Sequence, residues 1–370
     1  MSRAAAAAAA LAALPPWARE AAAAAPAEFI ERNDWPEHWE TTLQALGRSW
    51  ITANERFFVR SHFGAPEIDR AAWRLEISGL VSTPLSLSLA ELRALQAKSA
   101  VHTLECAGNG RALFHLPSTS GTQWEYGAVG TATWAGVQLS DLLERAGVAP
   151  EAKHVWFEAA DHATLPSVPP FLRSIPIEKA MADTLLAHTM NEAPLPRLHG
   201  APLRAIVPGW FGMASTKWVT RIRVEAAPSD NHFMTKGYRY LYPGEDPQLA
   251  APVAEMRIKS VITRPLDGTH APLGRVRFQG FAWAGPAGVR LVEISIDEGQ
   301  TWRPAGFMGE KAEGAWRTWA TEIEFKEPAE FNVMARATDG AGEVQPAAAR
   351  PNAGGYGNNA IHKVAVHVVA

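Results

Sequence analysis

Between Trp73 and Leu80, Trp73, Leu75 and Ile77 alternate with Arg74, Glu76 and Ser78, and the run closes at Gly79. A period of two ending in glycine predicts a strand and turn. From Ser88 to Leu95 the spacing becomes helical, which predicts a capped helix, and Leu139–Gly147 reads as another short helix closed by its glycine. Strands and helices interleave irregularly from Asp34 to about Pro247, among many Trp, Gly and Pro residues, so this stretch predicts an α+β fold. No βαβ repeat and no G-x-G-x-x-G occurs, which argues against a Rossmann domain and a nicotinamide cofactor.

After Pro252 the texture changes to short alternating strands: Val276 to Trp283, Val289 to Asp297, Trp316 to Phe325, Phe331 to Thr338 and Lys363 to Val369. Turns such as Asp297-Glu298-Gly299 and Asp339-Gly340 separate them, and the spacing predicts an immunoglobulin-like β-sandwich. The expected division is a first segment 1–27, a region 28–251 and a sandwich 252–370. The first segment places Arg3 before an alanine run and Leu11, Leu14, Pro15 and Pro16. It reads as an export-signal-like stretch or an inert alanine-rich tail. No other run approaches the roughly 18 apolar residues of a membrane span.

The 370 residues suit two domains, and 47% hydrophobic with 20% charged residues sets intrinsic disorder aside. A net charge of −3 gives no global basic field for nucleic acid or an anionic membrane, so an anion site would be local. The single cysteine, Cys106, excludes an internal disulfide, a Cys-rich metal site and covalent c-type haem.

That cysteine sits in Thr103-Leu104-Glu105-Cys106-Ala107-Gly108-Asn109-Gly110-Arg111. A lone cysteine is commonly a small buried hydrophobe, but a glycine-rich turn with an arginine favours a thiolate that attacks carbon or binds metal. His199 and Arg204 lie in Leu195-Pro196-Arg197-Leu198-His199-Gly200-Ala201-Pro202-Leu203-Arg204, readable as a surface loop or an anion site. Val207-Pro208-Gly209 leads to Ser215-Thr216-Lys217-Trp218, where hydroxyls and an ammonium could meet a phosphate, though not in P-loop order. Phe57-Phe58-Val59-Arg60-Ser61-His62 puts Arg60 and His62 on one face if extended.

Taken in order, these segments resemble the sulfite oxidase family of molybdopterin enzymes, over nearly the whole chain from Phe57 onward. The pattern is closest to bacterial sulfite dehydrogenases without a haem domain. The resemblance implies a mixed α/β molybdopterin-binding domain followed by a dimerisation sandwich, to which Glu293 to Trp302 are similar. It makes Cys106 the thiolate ligand of molybdenum beside two pterin sulfurs. His62, Asp161, His199, Arg204, Ser215, Thr216 and Lys217 would hold the pterin and its phosphate. Arg60, Arg111 and Tyr238 would line the substrate pocket, with Trp124 as a wall. Simple core packing or turn formation is the alternative for Trp124, Tyr238 and Asp161.

One departure stands out. The arginine that vertebrate and plant sulfite oxidases carry before a glycine near the C-terminus is missing from Asn352-Ala353-Gly354-Gly355-Tyr356; Arg350 is near but not at the matching position. The resemblance implies oxidation of sulfite, or another small oxyanion, by oxygen-atom transfer. Electrons would pass to an external acceptor such as a cytochrome c, with neither haem nor flavin in this chain. It also implies a homodimer in the periplasm, the cytoplasm being the alternative compartment. The rival readings are a same-fold molybdenum reductase of nitrate or a sulfoxide, disfavoured for a neutral substrate by the paired arginines, and a binding protein without catalysis.

Overall fold

The computed structural model describes residues 28–114, 119–165 and 167–370. The export-signal-like reading of residues 1–27 falls outside the described residues. Two five-stranded sheets organise the N-terminal region. In one, Leu85–Ser88, Arg74–Gly79, Val219–Glu225, His154–Ala159 and Leu172–Pro176 lie in that order. Arg74–Gly79 and Val219–Glu225 run parallel and the remaining pairs antiparallel. In the other, Ala193–Pro194, Leu185–Met190, Val129–Gln138 and Lys98–Glu105 follow one another, with Arg204–Ile206 also paired to Leu185–Met190.

The period of two has the expected result: Leu75 and Ile77 are fully buried while Arg74 is exposed. They pack with Val155, Phe157, Ile222, Val224 and the inward face of Leu139–Ala146, namely Leu139, Leu142 and Leu143. The two helices begin and end for local reasons. The Ser88 hydroxyl accepts from the Glu91 N–H and the Glu91 carboxylate accepts from the Ser88 N–H, a capping box for Leu89–Ala94. Leu139–Ala146 ends at Gly147, whose φ of 69° is left-handed and costs glycine little.

The C-terminal region is a β-sandwich, and no helix occurs in it. Its four-stranded sheet runs Lys259–Arg264, Gly274–Trp283, Arg317–Phe325, Gly306–Met308. Its five-stranded sheet runs Thr269–Pro272, His362–Val369, Glu330–Asp339, Val289–Ser295, Arg303–Pro304. The alternation readable in Val276 and Phe278 stops at Gly280, after which every residue to Trp283 is buried. The reason is that this end of the strand is covered on both faces. Phe281 stacks on Trp316 at 4.0 Å, and Trp50 and Trp316 exchange indole-to-carbonyl hydrogen bonds of 3.1 and 2.7 Å. The N-terminal hairpin Phe29–Asn33 with His38–Thr41 and the strand Lys259–Arg264 were not anticipated from sequence.

Where the sandwich meets the first region it buries an ion pair. Lys259 Nζ lies 2.8 Å from Glu105 Oε1, with the two side chains 6% and 2% exposed. Trp283 Nε1 donates to Glu105 Oε2 at 2.9 Å, and Asn109 Nδ2 donates to Oε1 at 3.0 Å. With its lone pairs filled this way the carboxylate tolerates burial; one missing partner leaves a charge stranded.

Two predictions follow from these contacts. Lys259→Met should cost about 3–5 kcal/mol of stability, because Glu105 remains buried without a cation; a shift under about 1 kcal/mol in urea denaturation would contradict this. His362 is buried, and burial holds its imidazole down to about 4, below the ordinary 6.5. Its Nδ1 accepts from the Ile262 N–H at 2.9 Å, which requires the neutral ring. Above pH 6.5 that stability is present; as pH falls towards 4 the unfolded chain takes up the proton first, and up to about 1.4 kcal/mol is lost per pH unit. His362→Gln should flatten the fall in unfolding free energy between pH 6.5 and 4, and an unchanged slope would count against the assignment.

Candidate active site

The strand Lys98–Glu105 delivers Cys106 into a turn that backbone groups hold from several sides. The Cys106 N–H donates to Ala128 O at 2.9 Å and its carbonyl accepts from the Asn109 N–H at 2.9 Å. Gly357 N–H donates to Ala107 O at 2.8 Å, and the Asn358 amide donates to Gly110 O at 2.9 Å. The neighbouring Glu105 carbonyl accepts from the Gly212 N–H at 2.7 Å, tying the turn to the segment that carries Ser215, Thr216 and Lys217. Cys106 itself is free and partly exposed. Gly108 leaves room for an arginine: a Cβ there would stand 2.7 Å from Arg111 Nη2.

On one side of Cys106 lies a cleft lined by His62, Asp161, His199, Arg204, Ser215, Thr216 and Lys217, together with Arg60, Ser61 and Tyr238. The segments containing these residues are far apart in sequence, and the reading of His199 and Arg204 as a surface loop does not hold, since both are 5% exposed. Arg204 donates to His199 O at 2.9 Å and Ser215 O at 3.1 Å and lies over the Trp134 ring at 4.9 Å. Burial lowers its guanidinium to about 9. Lys217 Nζ donates to Ser61 Oγ at 2.7 Å and Leu198 O at 2.9 Å, and burial with the nearby Arg204 charge holds it well below the usual lysine range. His199 Nε2 faces Asn54 O at 3.2 Å and so donates; burial brings it to about 3, and the ring is neutral. Asp161 is pushed up by burial despite Lys217. Thr216 Oγ1 and Asp161 Oδ1 are buried without a hydrogen-bond partner. These cations bond only neutral oxygens, and two polar atoms await partners; the cleft is made for an anion with further hydrogen-bonding groups.

On the other side, a second, open cleft is lined by Cys106, Arg60, Arg111, Trp124 and Tyr238, and also by His38 and Tyr356. Arg60 Nη1 is 2.5 Å from His62 Nδ1 and 2.9 Å from Nε2, while Tyr238 Oη is 2.9 Å from Nε2. Arg60 can only donate and reaches both ring nitrogens, so the ring accepts from it through one nitrogen and meets the Tyr238 hydroxyl at Nε2. Burial pushes the Tyr238 phenol up to about 12, so it stays protonated at neutral pH. Its backbone takes φ 53°, unusual for a bulky residue. Arg111 donates to Gly354 O at 3.0 Å and Thr122 O at 2.8 Å. The stretch in which the sequence lacks an arginine thus meets Arg111 through a carbonyl. Trp124 is fully buried and forms wall and core at once.

All twelve residues singled out from sequence border one cleft or the other, and Cys106 borders both. Sequence reading missed His38, whose Nε2 faces Ser61 O at 2.8 Å and whose Nδ1 faces Thr122 Oγ1 at 2.7 Å, because its partners lie 23 and 84 residues away. Tyr356 stacks on Tyr238 at 5.2 Å, a neighbour with no local signal.

Residues 62–233 match the family described as oxidoreductase molybdopterin binding domain, and residues 250–369 the Mo-co oxidoreductase dimerisation domain. The mitochondrial sulfite oxidase of Rattus norvegicus is 37% identical over 90% of this chain, and that of Gallus gallus 35% over 85%. The chain spans 64% of the rat protein and 72% of the chicken one. The crystal structure of the sulfane dehydrogenase SoxCD from Paracoccus pantotrophus superposes with a TM-score of 0.81 at 30% identity, covering 96% of this chain and 93% of that one. A sole cysteine at the seam of two cationic clefts, in a sandwich-backed α+β frame that these proteins share, places the chain in the sulfite oxidase family of molybdopterin oxidoreductases.

Proposed function

We propose that the protein oxidises sulfite to sulfate and passes the two electrons to an external acceptor such as a cytochrome c. The observation that carries this reading is the position of Cys106, which borders both the buried cleft of Arg204 and Lys217 and the open cleft of Arg60, Arg111 and Tyr238. The donor set fits a molybdenum–molybdopterin. Arg204 and Lys217 suit its phosphate, Thr216 Oγ1 has a hydroxyl to donate, and Asp161 Oδ1 can accept from the pterin ring. His62, His199 and Ser215 complete the lining, and Cys106 would supply a soft thiolate to the metal. When bound, the group supplies two-electron oxygen-atom transfer chemistry.

The chain's own part is electrostatic and geometric. Arg60 and Arg111 counter the charge of the oxyanion, Tyr238 O–H donates to the reacting oxygen, and Trp124 closes the wall against water. Overall, sulfite gains one oxygen from water and releases two electrons and two protons. The proposal includes a division into a catalytic region 28–251 and a sandwich 252–370 that pairs two chains as a homodimer. It also includes a periplasmic setting; among the described residues no helix is long and apolar enough to cross a membrane. A second reading, oxidation of a sulfane sulfur, is favoured by the stretch Ala353–Tyr356, which lends the open cleft no cation.

Sulfite-dependent dye reduction by the molybdenum-loaded protein tests the proposal, with nitrate and methionine sulfoxide in parallel. Arg60→Gln should raise KM for sulfite about ten- to a hundredfold, the loss of one charge-assisted contact of roughly 1.5–3 kcal/mol. Added salt should weaken the wild type more than the variant. Arg111→Gln should show the same loss with some instability, since Thr122 and Gly354 carbonyls lose their donor. Turnover of nitrate or sulfoxide without sulfite oxidation would overturn the proposal.

A further inference from the structure

Arg173, on the strand Leu172–Pro176, is 3% exposed and was not among the candidates read from sequence. Its guanidinium donates to the carbonyl of Phe233, and its Nε is buried with no hydrogen-bond partner. It forms no ion pair with any carboxylate among the described residues. Instead it lies over the Tyr238 ring at 5.2 Å; Tyr238 stacks on Tyr356 at 5.2 Å, and Arg111 lies over Tyr356 at 5.3 Å. Two arginines therefore bracket two stacked phenols, and both phenols and the Phe233 that Arg173 holds line the open cleft. Burying a guanidinium is costly unless something nearby offsets its charge. Two aromatic rings do so only weakly.

We propose that Arg173 is a specificity-determining cation of the open cleft, acting from behind Tyr238 to favour a doubly charged tetrahedral or pyramidal oxyanion. It supplies from the strand Leu172–Pro176 the positive charge that the stretch Ala353–Tyr356 does not. Its field reaches the anion through a wall of aromatic side chains, where few water dipoles screen it. Its bond to the Phe233 carbonyl holds it in place behind Tyr238. Arg60 and Arg111 are the contacts at the cleft surface; Arg173 discriminates by charge.

The inference rests on the sulfite reading for the identity of the anion. The test is steady-state kinetics of Arg173→Gln and Arg173→Lys in the molybdenum-loaded protein, with sulfate as competitive inhibitor. Molybdenum content and thermal midpoint are measured alongside. Glutamine can still donate to the Phe233 carbonyl but carries no charge. Arg173→Gln should raise both KM for sulfite and Ki for sulfate about tenfold while kcat stays within about twofold, and Arg173→Lys should recover most of the loss. Unchanged KM and Ki in Arg173→Gln would overturn the inference, as would equal losses in the glutamine and lysine variants, which would mean shape rather than charge. A wild type inert towards sulfite would overturn the functional reading instead; sulfate binding by calorimetry to wild type and Arg173→Gln would then still decide the role of Arg173, with a tenfold weaker variant expected and equal affinities contradicting it.

Discussion

The buried carboxylate of Glu105 is the constraint on which the rest of the molecule depends. It stands one residue before Cys106, and its oxygens are held by Lys259 and Trp283 from the sandwich and by Asn109 from the turn itself. Its backbone carbonyl meanwhile takes the Gly212 N–H, three residues before Ser215. One residue thus fixes the cysteine turn, the segment that brings Thr216 and Lys217, and the C-terminal sandwich relative to one another. A buried ion pair is seldom a net source of stability, since desolvation offsets the attraction. Its consequence here is register: a slip of the turn would strand both charges.

The same logic explains the two clefts. Arg204 and Lys217 bond carbonyl and hydroxyl oxygens, and burial lowers both below their ordinary ranges. An anionic group seated there would offset the cost of burying the two charges. That arrangement presents fixed cations to a phosphate-bearing cofactor. In the open cleft the order of contacts runs from Arg60 through His62 to Tyr238, so the imidazole links the cation to the phenol.

How much of this was legible in the sequence depended on how far each residue's partners lie along the chain. The helix at Leu89–Ala94 was readable because Ser88 and Glu91 satisfy one another within a turn. The strand Arg74–Gly79 was readable because one of its faces is apolar. Alternation failed at Gly280–Trp283, where the neighbouring region covers the second face of the strand. The twelve candidate residues came from the order of motifs, since nothing local marks Asp161 or Tyr238 as part of a cleft. His38, Arg173 and Lys259 were invisible for the same reason: their roles arise from partners that only the tertiary fold brings near, as Lys259 and Glu105 are 154 residues apart.

The most direct test of the central claim, that Cys106 joins a molybdenum cofactor to both clefts, is X-ray absorption at the molybdenum edge of the loaded protein. Wild type should show three sulfur neighbours per metal and Cys106→Ser two, with the pterin retained by the cationic cleft. An unchanged sulfur count in Cys106→Ser would contradict the account, because no other cysteine exists in the chain to take the ligand's place.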